Sequence, residues 1–282
     1  MQTTKNKIGI MQGRLSPAVD GKIQFFPWAT WQQEFTLAKQ NGFASIEFIF
    51  DFDQYEKNPL WTNEGIEELK KLIADTGVSL DHVCADYFMV RPFMRVSEAD
   101  RQSSVEILKK LIIQAARVGV TGIEVPLVDN SRIHNNEEAS VVVSSIQAVL
   151  PLAEQYKIEI GLETSLPPKN FKALLEQINH PLIKANYDTG NSSSLGYDTT
   201  EEIATFGQWI SNIHIKDRVF GGTTVALGTG NANFEKTFQA LAKINYAGPF
   251  ILQAARAADG DEIRNAKHNL KFVQNLINAY LQ

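Results

Sequence analysis

Short apolar runs alternate with longer stretches of helical period from one end of the chain to the other. The runs at Lys7–Gln12, Ser45–Phe50, Val78–Ala85, Gly122–Val128, Ile158–Glu163, Ile183–Tyr187, Ile210–Ile215 and Pro249–Gln253 are bounded by Gly, Pro, Asn or Asp, and several are β-branched or aromatic, which predicts eight strands. Between them, Ile66, Leu69, Leu72 and Ile73 recur at helical spacing and are followed by Gly77, a C-cap residue. Ser97-Glu98-Ala99-Asp100 has the form of a capping box ahead of the stripe Val105, Leu108, Leu111, Ile112 and Ala115. Ile263, Ala266, Leu270, Val273, Leu276, Ile277 and Tyr280 predict a last helix.

A strand and its helix thus recur roughly every 35 residues, the repeat that closes ~250 residues into a (β/α)8 TIM barrel, an α/β fold. An open doubly wound sheet also alternates strand and helix. Its first turn is glycine-rich, however, whereas the first strand here runs into Gln12-Gly13-Arg14-Leu15-Ser16-Pro17 without a G-x-G-x-x-G. No linker breaks the pattern, so a single domain is expected over 1–282, with its active site at the C-terminal ends of the strands.

Composition narrows the class. Hydrophobic residues make up 44% of the 282 and charged residues 21%, the mixture of a globular enzyme. Twenty-seven Lys and Arg against 32 Asp and Glu give a net charge of −5, which makes nucleic acid a poor partner. The one cysteine, Cys84, has no second to pair with, and the apolar stretch after Met1–Lys7 is too short for a signal peptide. No run is long enough to span a membrane. A cytoplasmic protein acting on a small molecule is the expectation.

Polar residues at strand ends carry the chemistry of a barrel. The fifth strand ends at Glu163-Thr164, the sixth at Asp188-Thr189-Gly190-Asn191, the seventh contains His214-Ile215-Lys216-Asp217-Arg218, and the eighth ends at Gln253. Two carboxylates and an imidazole from successive strands suit one divalent ion, Mn, Mg, Co or Zn. His214 lies between Ile213 and Ile215, so its side chain faces away from theirs, into the barrel.

The stretches IGIMQGRL (Ile8–Leu15), GFASIEFIF (Gly42–Phe50), Leu162–Thr164, NYDTGNSSSLGY (Asn186–Tyr197), NIHIKDR (Asn212–Arg218) and GTGNANF (Gly228–Phe234), with Gly248–Gln253, run from first strand to last. In that order they resemble the xylose isomerase-like TIM-barrel superfamily, in its sugar phosphate isomerase/epimerase group. The resemblance implies a carbohydrate-metabolism enzyme with a sugar or sugar-phosphate substrate, one metal ion and, in many members, a homo-oligomer. It places the metal ligands at Glu163, Asp188, His214 and Gln253, and contact with the substrate hydroxyls at Asn191.

The family's epimerases have glutamate where this chain has Gln253, and use the two glutamates as an opposed acid–base pair. Glutamine lends a carbonyl oxygen to a metal but cannot accept and return a proton. Glu163 then remains as base, and Lys216 as proton donor or oxyanion partner. Aldose–ketose isomerisation through an enediolate or a hydride shift asks less of a second base. An alternative is a barrel that binds a sugar without turning it over. A hydrolase like endonuclease IV needs several ligand histidines, and the five here fall at 82, 134, 180, 214 and 268.

Arg218 and Arg14 are candidates to grip a phosphate or carboxylate, and His82 to touch substrate. Glu47, in an apolar strand, requires a partner, for which Arg14 or a ligand is available. Gly228-Thr229-Gly230-Asn231 has the composition of a phosphate cradle. The cluster Phe25, Phe26, Trp28 and Trp31 reads equally as a lid, an interface or a core face.

Overall fold

Eight parallel strands close into a barrel in the order β1-β10-β7-β6-β5-β4-β3-β2 in the computed structural model, which describes residues 5–281. Residues 1–4, the first part of the Met1–Lys7 stretch, and residue 282 lie outside the described residues. The strands are β1 (Ile8–Met11), β2 (Ser45–Ile49), β3 (His82–Cys84), β4 (Gly122–Leu127), β5 (Glu159–Thr164), β6 (Ile183–Asp188), β7 (Ile210–Ile215) and β10 (Phe250–Leu252). Each lies within one or two residues of its predicted limits except β3, which begins four residues late because Ser79 joins the ladder only as an isolated bridge to Ser45. The helices are α1 (Trp31–Gln40), α2 (Asn63–Thr76), α3 (Tyr87–Val90), α4 (Glu98–Ala116), α5 (Asn136–Gln147), α6 (Leu150–Tyr156), α7 (Pro168–Ile178), α8 (Thr189–Leu195), α9 (Thr199–Phe206), α10 (Phe234–Lys243) and α11 (Glu262–Tyr280).

Local chemistry sets several of these limits. Ser97 Oγ accepts from Asp100 N at 3.1 Å and caps α4, and Gly77, at φ +73°, takes the left-handed residue that ends α2. One departure from simple alternation follows β7. The chain turns at once into an antiparallel ribbon, β8 (Asp217–Arg218) with β9 (Thr224–Val225), before α10 begins. Among the described residues no helix is long and apolar enough to cross a membrane.

The chain divides into two compact units. The first comprises the described residues of Met1–Glu47, Thr76–Ser79 and Asn186–Gln282, and the second Phe48–Asp75 and Leu80–Ala185. In the first, β1 pairs with β10 (Ile8 opposite Phe250), and β10 with β7 (Ile251 opposite His214). Phe238 of α10 stacks on Phe250 with ring centres 5.0 Å apart. Phe25, Phe26 and Trp31 are buried, and the Arg256 guanidinium lies 4.9 Å over the Phe25 ring, so three of the four aromatics after β1 are core. In the second unit β3, β4 and β5 pair in succession, and Phe50 anchors an aromatic cluster with Tyr55, Trp61 and Tyr87.

Two buried carboxylates of the first unit titrate near neutrality. Glu34 on α1 accepts from Gly13 N (2.9 Å), Leu15 N (3.2 Å) and Ser16 Oγ (2.9 Å) and so holds the loop after β1. Burial pushes it up to about 7, against the opposing pull of those donors and of Arg256. Glu202, with Tyr187 at 2.9 Å, is likewise pushed up by burial to about 7. A carboxylate raised in the fold favours folding most below about 4.5, where both states hold the proton, and loses that advantage as pH rises to about 7. The Glu34 share is on the order of 3 kcal/mol. The difference in stability between wild type and Glu34→Gln, measured by urea unfolding, is therefore expected to shift against the wild type between pH 5 and pH 8. A pH-independent difference would rule this out.

Candidate functional site

Strand alternation places Asn186 and Asp188 of β6, Asn212 and His214 of β7 with Lys216 just beyond it, and Gln253 after β10 on the inward face. Residues two apart on a strand stand ~6.6 Å apart along it, so these side chains form two layers in the first unit.

The outer layer contains Asp188, Lys216 and Gln253. Asp188 is the N-cap of α8, its Oδ1 accepting from Gly190 N and Asn191 N, both at 2.8 Å. Its Oδ2 lies 3.3 Å from Lys216 Nζ, which also donates to Gln253 Oε1 at 3.2 Å. The ammonium thus stands between a carboxylate oxygen and an amide oxygen. Thr189 Oγ1 ties α8 to the end of β7, donating to Lys216 O at 2.6 Å and accepting from Lys216 N at 3.0 Å. Glycine is required next to it, because a Cβ on Gly190 would come within 2.7 Å of Lys216 Cγ.

The inner layer is built on Glu47. Its carboxylate accepts from Asn212 Nδ2 at 2.8 Å and from His214 Nε2 at 2.9 Å, and both Glu47 and His214 are 0% exposed. With a carboxylate oxygen opposite it, Nε2 is the nitrogen assigned the hydrogen. His214 Nδ1 is then the acceptor nitrogen, and Asn186 Nδ2 donates to it at 3.2 Å. The partners of Glu47 found here are thus an imidazole and an amide. Arg14, for its part, reaches Ala254 O (2.9 Å) and Ile23 O (2.5 Å). Asn212 and Asn186 went unremarked in the sequence, although the period of two that singled out His214 also selects them.

Other candidates fall where the local backbone puts them. Arg218 sits on β8, donating Nη1 to Asn191 Oδ1 at 2.8 Å and Nε and Nη2 to Gly222 O at 3.1 and 2.8 Å, so Asn191 and Arg218 act as one group. The glycine loop is no phosphate cradle, because its donors are taken. Gly228 N and Gly230 N give to Asp217 Oδ2 at 2.9 Å each, and Ala232 N to Oδ1 at 3.0 Å. The anion that this loop accommodates is the chain's own buried Asp217.

In the second unit, Glu163 is buried near the end of β5, and Cys84 donates to Asp86 Oδ1 at 3.4 Å. Glu124, buried on β4 opposite Cys84, is a carboxylate the sequence reading passed over. His82 opens β3 at its N-terminal end, its ring packed on Gly122, whose Cβ would lie 2.5 Å from it. That is the opposite end of the strand from the one at which barrel sites form.

The donors of the first unit fit a divalent cation. Two oxygens, from Asp188 and Gln253, already converge on a positive charge, and the Glu47–His214 pair, with Nδ1 turned to the Asn186 amide, has the form of the carboxylate–histidine support of a metal-bound imidazole.

The family model of the xylose isomerase-like TIM barrel matches residues 35–276. The L-ribulose-5-phosphate 3-epimerase of Salmonella heidelberg is 27% identical over 231 residues, which are 79% of this chain and 81% of that protein. Among solved structures, an L-ribulose 3-epimerase superposes with a TM-score of 0.76 at 19% identity, covering 98% of this chain and 95% of the other. The IOLI protein with its bound zinc atom superposes with a TM-score of 0.77 at 16% identity, covering 97% and 99%. At such identities the superpositions speak for the fold.

Proposed function

The chain belongs to the xylose isomerase-like TIM-barrel family, and on that premise we propose that it is a metal-dependent epimerase or isomerase of a ketose or ketose phosphate. The observation that carries the reading is the Lys216 ammonium held between Asp188 and Gln253, a cation position lined by oxygens at the strand ends. The resemblance to epimerases that act on L-ribulose 5-phosphate gives the substrate class.

The residues proposed to hold the ion are Asp188, His214 and Gln253, with Glu163 as the fourth. When bound, such an ion supplies Lewis acidity that polarises a substrate carbonyl and stabilises negative charge on the oxygen. The remaining steps belong to the chain. Glu163 is proposed as the base that removes the proton beside the carbonyl. Gln253 cannot return a proton, so that role passes to Lys216, whose Nζ lies 3.2 Å from the Gln253 oxygen. Asn191 and Arg218, joined at 2.8 Å, are proposed to bind substrate oxygens, with Arg218 offering a planar fork to a phosphate. Arg14 is proposed to act from behind, through the loop after β1.

The test is solvent exchange. Protein with one Mn²⁺ bound is incubated in D2O with L-ribulose 5-phosphate and with L-ribulose, followed by NMR. Deuterium entering at a carbon next to the carbonyl, together with a second sugar appearing, is the expected result. Turnover without deuterium would replace proton transfer by a hydride shift. Stoichiometric metal with tight sugar binding and no turnover would leave a sugar-binding barrel in place of an enzyme.

A further inference from the structure

A chain of four hydrogen-bonded side chains runs past the end of β10, and donor chemistry fixes its direction. Arg14 Nη2 donates to Gln24 Oε1 at 3.3 Å, Gln253 Nε2 donates to the same oxygen at 3.0 Å, and Lys216 Nζ donates to Gln253 Oε1 at 3.2 Å. The two ends of this chain, a guanidinium and an ammonium, have hydrogens to give and no lone pair to receive one. An amide can ordinarily exchange its oxygen and nitrogen by a half-turn. Here Gln24 must turn its oxygen to Arg14. Gln253 must then turn its NH2 to Gln24, and its oxygen to Lys216.

The segment that carries Gln24 is itself fastened. Arg14 Nη1 and Arg256 Nε both donate to Ile23 O, at 2.5 and 3.1 Å, while Arg14 Nε holds Ala254 O at 2.9 Å, next to Gln253. Gln24 and Gln253 are therefore presented to each other by backbone that the same arginine grips on both sides.

We infer that Gln24 is a positioning residue: through its acceptor oxygen it holds the Gln253 carbonyl oxygen on the cation side of the site, and it selects glutamine over glutamate at position 253. A carboxylate there would set oxygen against the Gln24 oxygen. If Gln24 turned to donate to it, the Gln24 NH2 would face the Arg14 guanidinium, donor against donor. The departure from the family's glutamate is thus matched by a partner 229 residues away in sequence. The orientation stands on the hydrogen bonds alone, whereas its use in holding a divalent ion rests on the function proposed above.

The experiment measures Mn²⁺ binding by calorimetry in wild type, Gln24→Leu, Gln24→Glu, Gln253→Leu and the Gln24→Leu/Gln253→Leu double variant. Gln24→Leu is expected to weaken Mn²⁺ about tenfold, the scale of an outer-shell partner. Gln24→Glu, which still accepts from both neighbours, is expected within about twofold of wild type. The double variant should bind no worse than Gln253→Leu, because Gln24 acts only through it. Additive losses, or Gln24→Glu binding as poorly as Gln24→Leu, would overturn the inference.

A second readout needs no metal: the ¹⁵N-labelled side-chain amide of Gln253, identified by its loss in Gln253→Leu. Its resonance should move in Gln24→Leu and stay in Gln24→Glu, and an unmoved resonance in Gln24→Leu overturns the positioning role. If the wild type binds no Mn²⁺ while that resonance moves, the metal reading falls and the positioning stands. Gln24→Ser serves should Gln24→Leu not fold.

Discussion

In the Asp188→Asn variant, Mn²⁺ affinity is expected to fall by about 10–100-fold and kcat by about 10²-fold or more, with the melting temperature nearly unchanged. The two oxygens of Asp188 do different work. Oδ1 accepts from Gly190 N and Asn191 N at 2.8 Å and starts α8, a task that an asparagine oxygen performs about as well. Oδ2 faces Lys216 Nζ at 3.3 Å, where the substitution puts an NH2 against an ammonium and removes the negative charge that a cation requires. Asp188→Ala also removes the cap, which adds about 1 kcal/mol of instability to the same functional loss. Calorimetric titration and thermal melts on the pair separate the two tasks. Wild-type Mn²⁺ affinity in Asp188→Asn would reduce Asp188 to a helix cap.

Much of this architecture was legible because barrel strands announce themselves twice, by apolar runs and by the turn residues that bound them. β7 lies at Ile210–Ile215 as expected, and the inward face of His214 followed from Ile213 and Ile215 on either side. The β8–β9 ribbon was not legible, since a two-residue strand has no period to detect and Asp217 pairs its backbone while its side chain organises a loop. That hidden role also misled the reading of the glycine loop. Its composition suits an anion, and composition does not say that the anion is a carboxylate eleven residues upstream.

The position of Asp188, His214 and Gln253 along their strands was legible, and their hydrogen-bond partners were not. The resemblance set Glu163, Asp188, His214 and Gln253 as equals. The hydrogen bonds place Asp188 and Gln253 on the Lys216 ammonium and His214 on Glu47, one layer further in. Sequence marked Glu47 as a buried charge in need of a partner, with Arg14 or a bound ligand as the candidates. The pairing is instead decided by which inward-facing positions share a layer, a matter of strand register across 167 residues. Gln24 escaped for a similar reason: it lies in a loop between Ile23 and a row of aromatics, and its value depends wholly on where Arg14 and Gln253 point.

Glu47 therefore carries the largest expected stability effect. Glu47→Leu leaves His214 Nε2–H and Asn212 Nδ2–H without their acceptor at a site that is 0% exposed, a loss of about 3–5 kcal/mol, or roughly 5–10 °C in melting temperature. Glu47→Gln is expected to cost only about 1 kcal/mol. The introduced oxygen still accepts from His214, and Asn212 can turn its amide, because its Oδ1, buried without a partner, is available to accept from the introduced NH2. His214 then keeps its hydrogen on Nε2 and its lone pair on Nδ1, so Mn²⁺ affinity should survive Glu47→Gln within about tenfold and be lost in Glu47→Leu. Thermal melts and metal titrations on both variants read the two effects separately. Equal destabilisation by Gln and Leu would mean that the ionised charge of Glu47, and not its geometry as an acceptor, holds the inner layer, and that His214 is an imidazolium with no lone pair to lend.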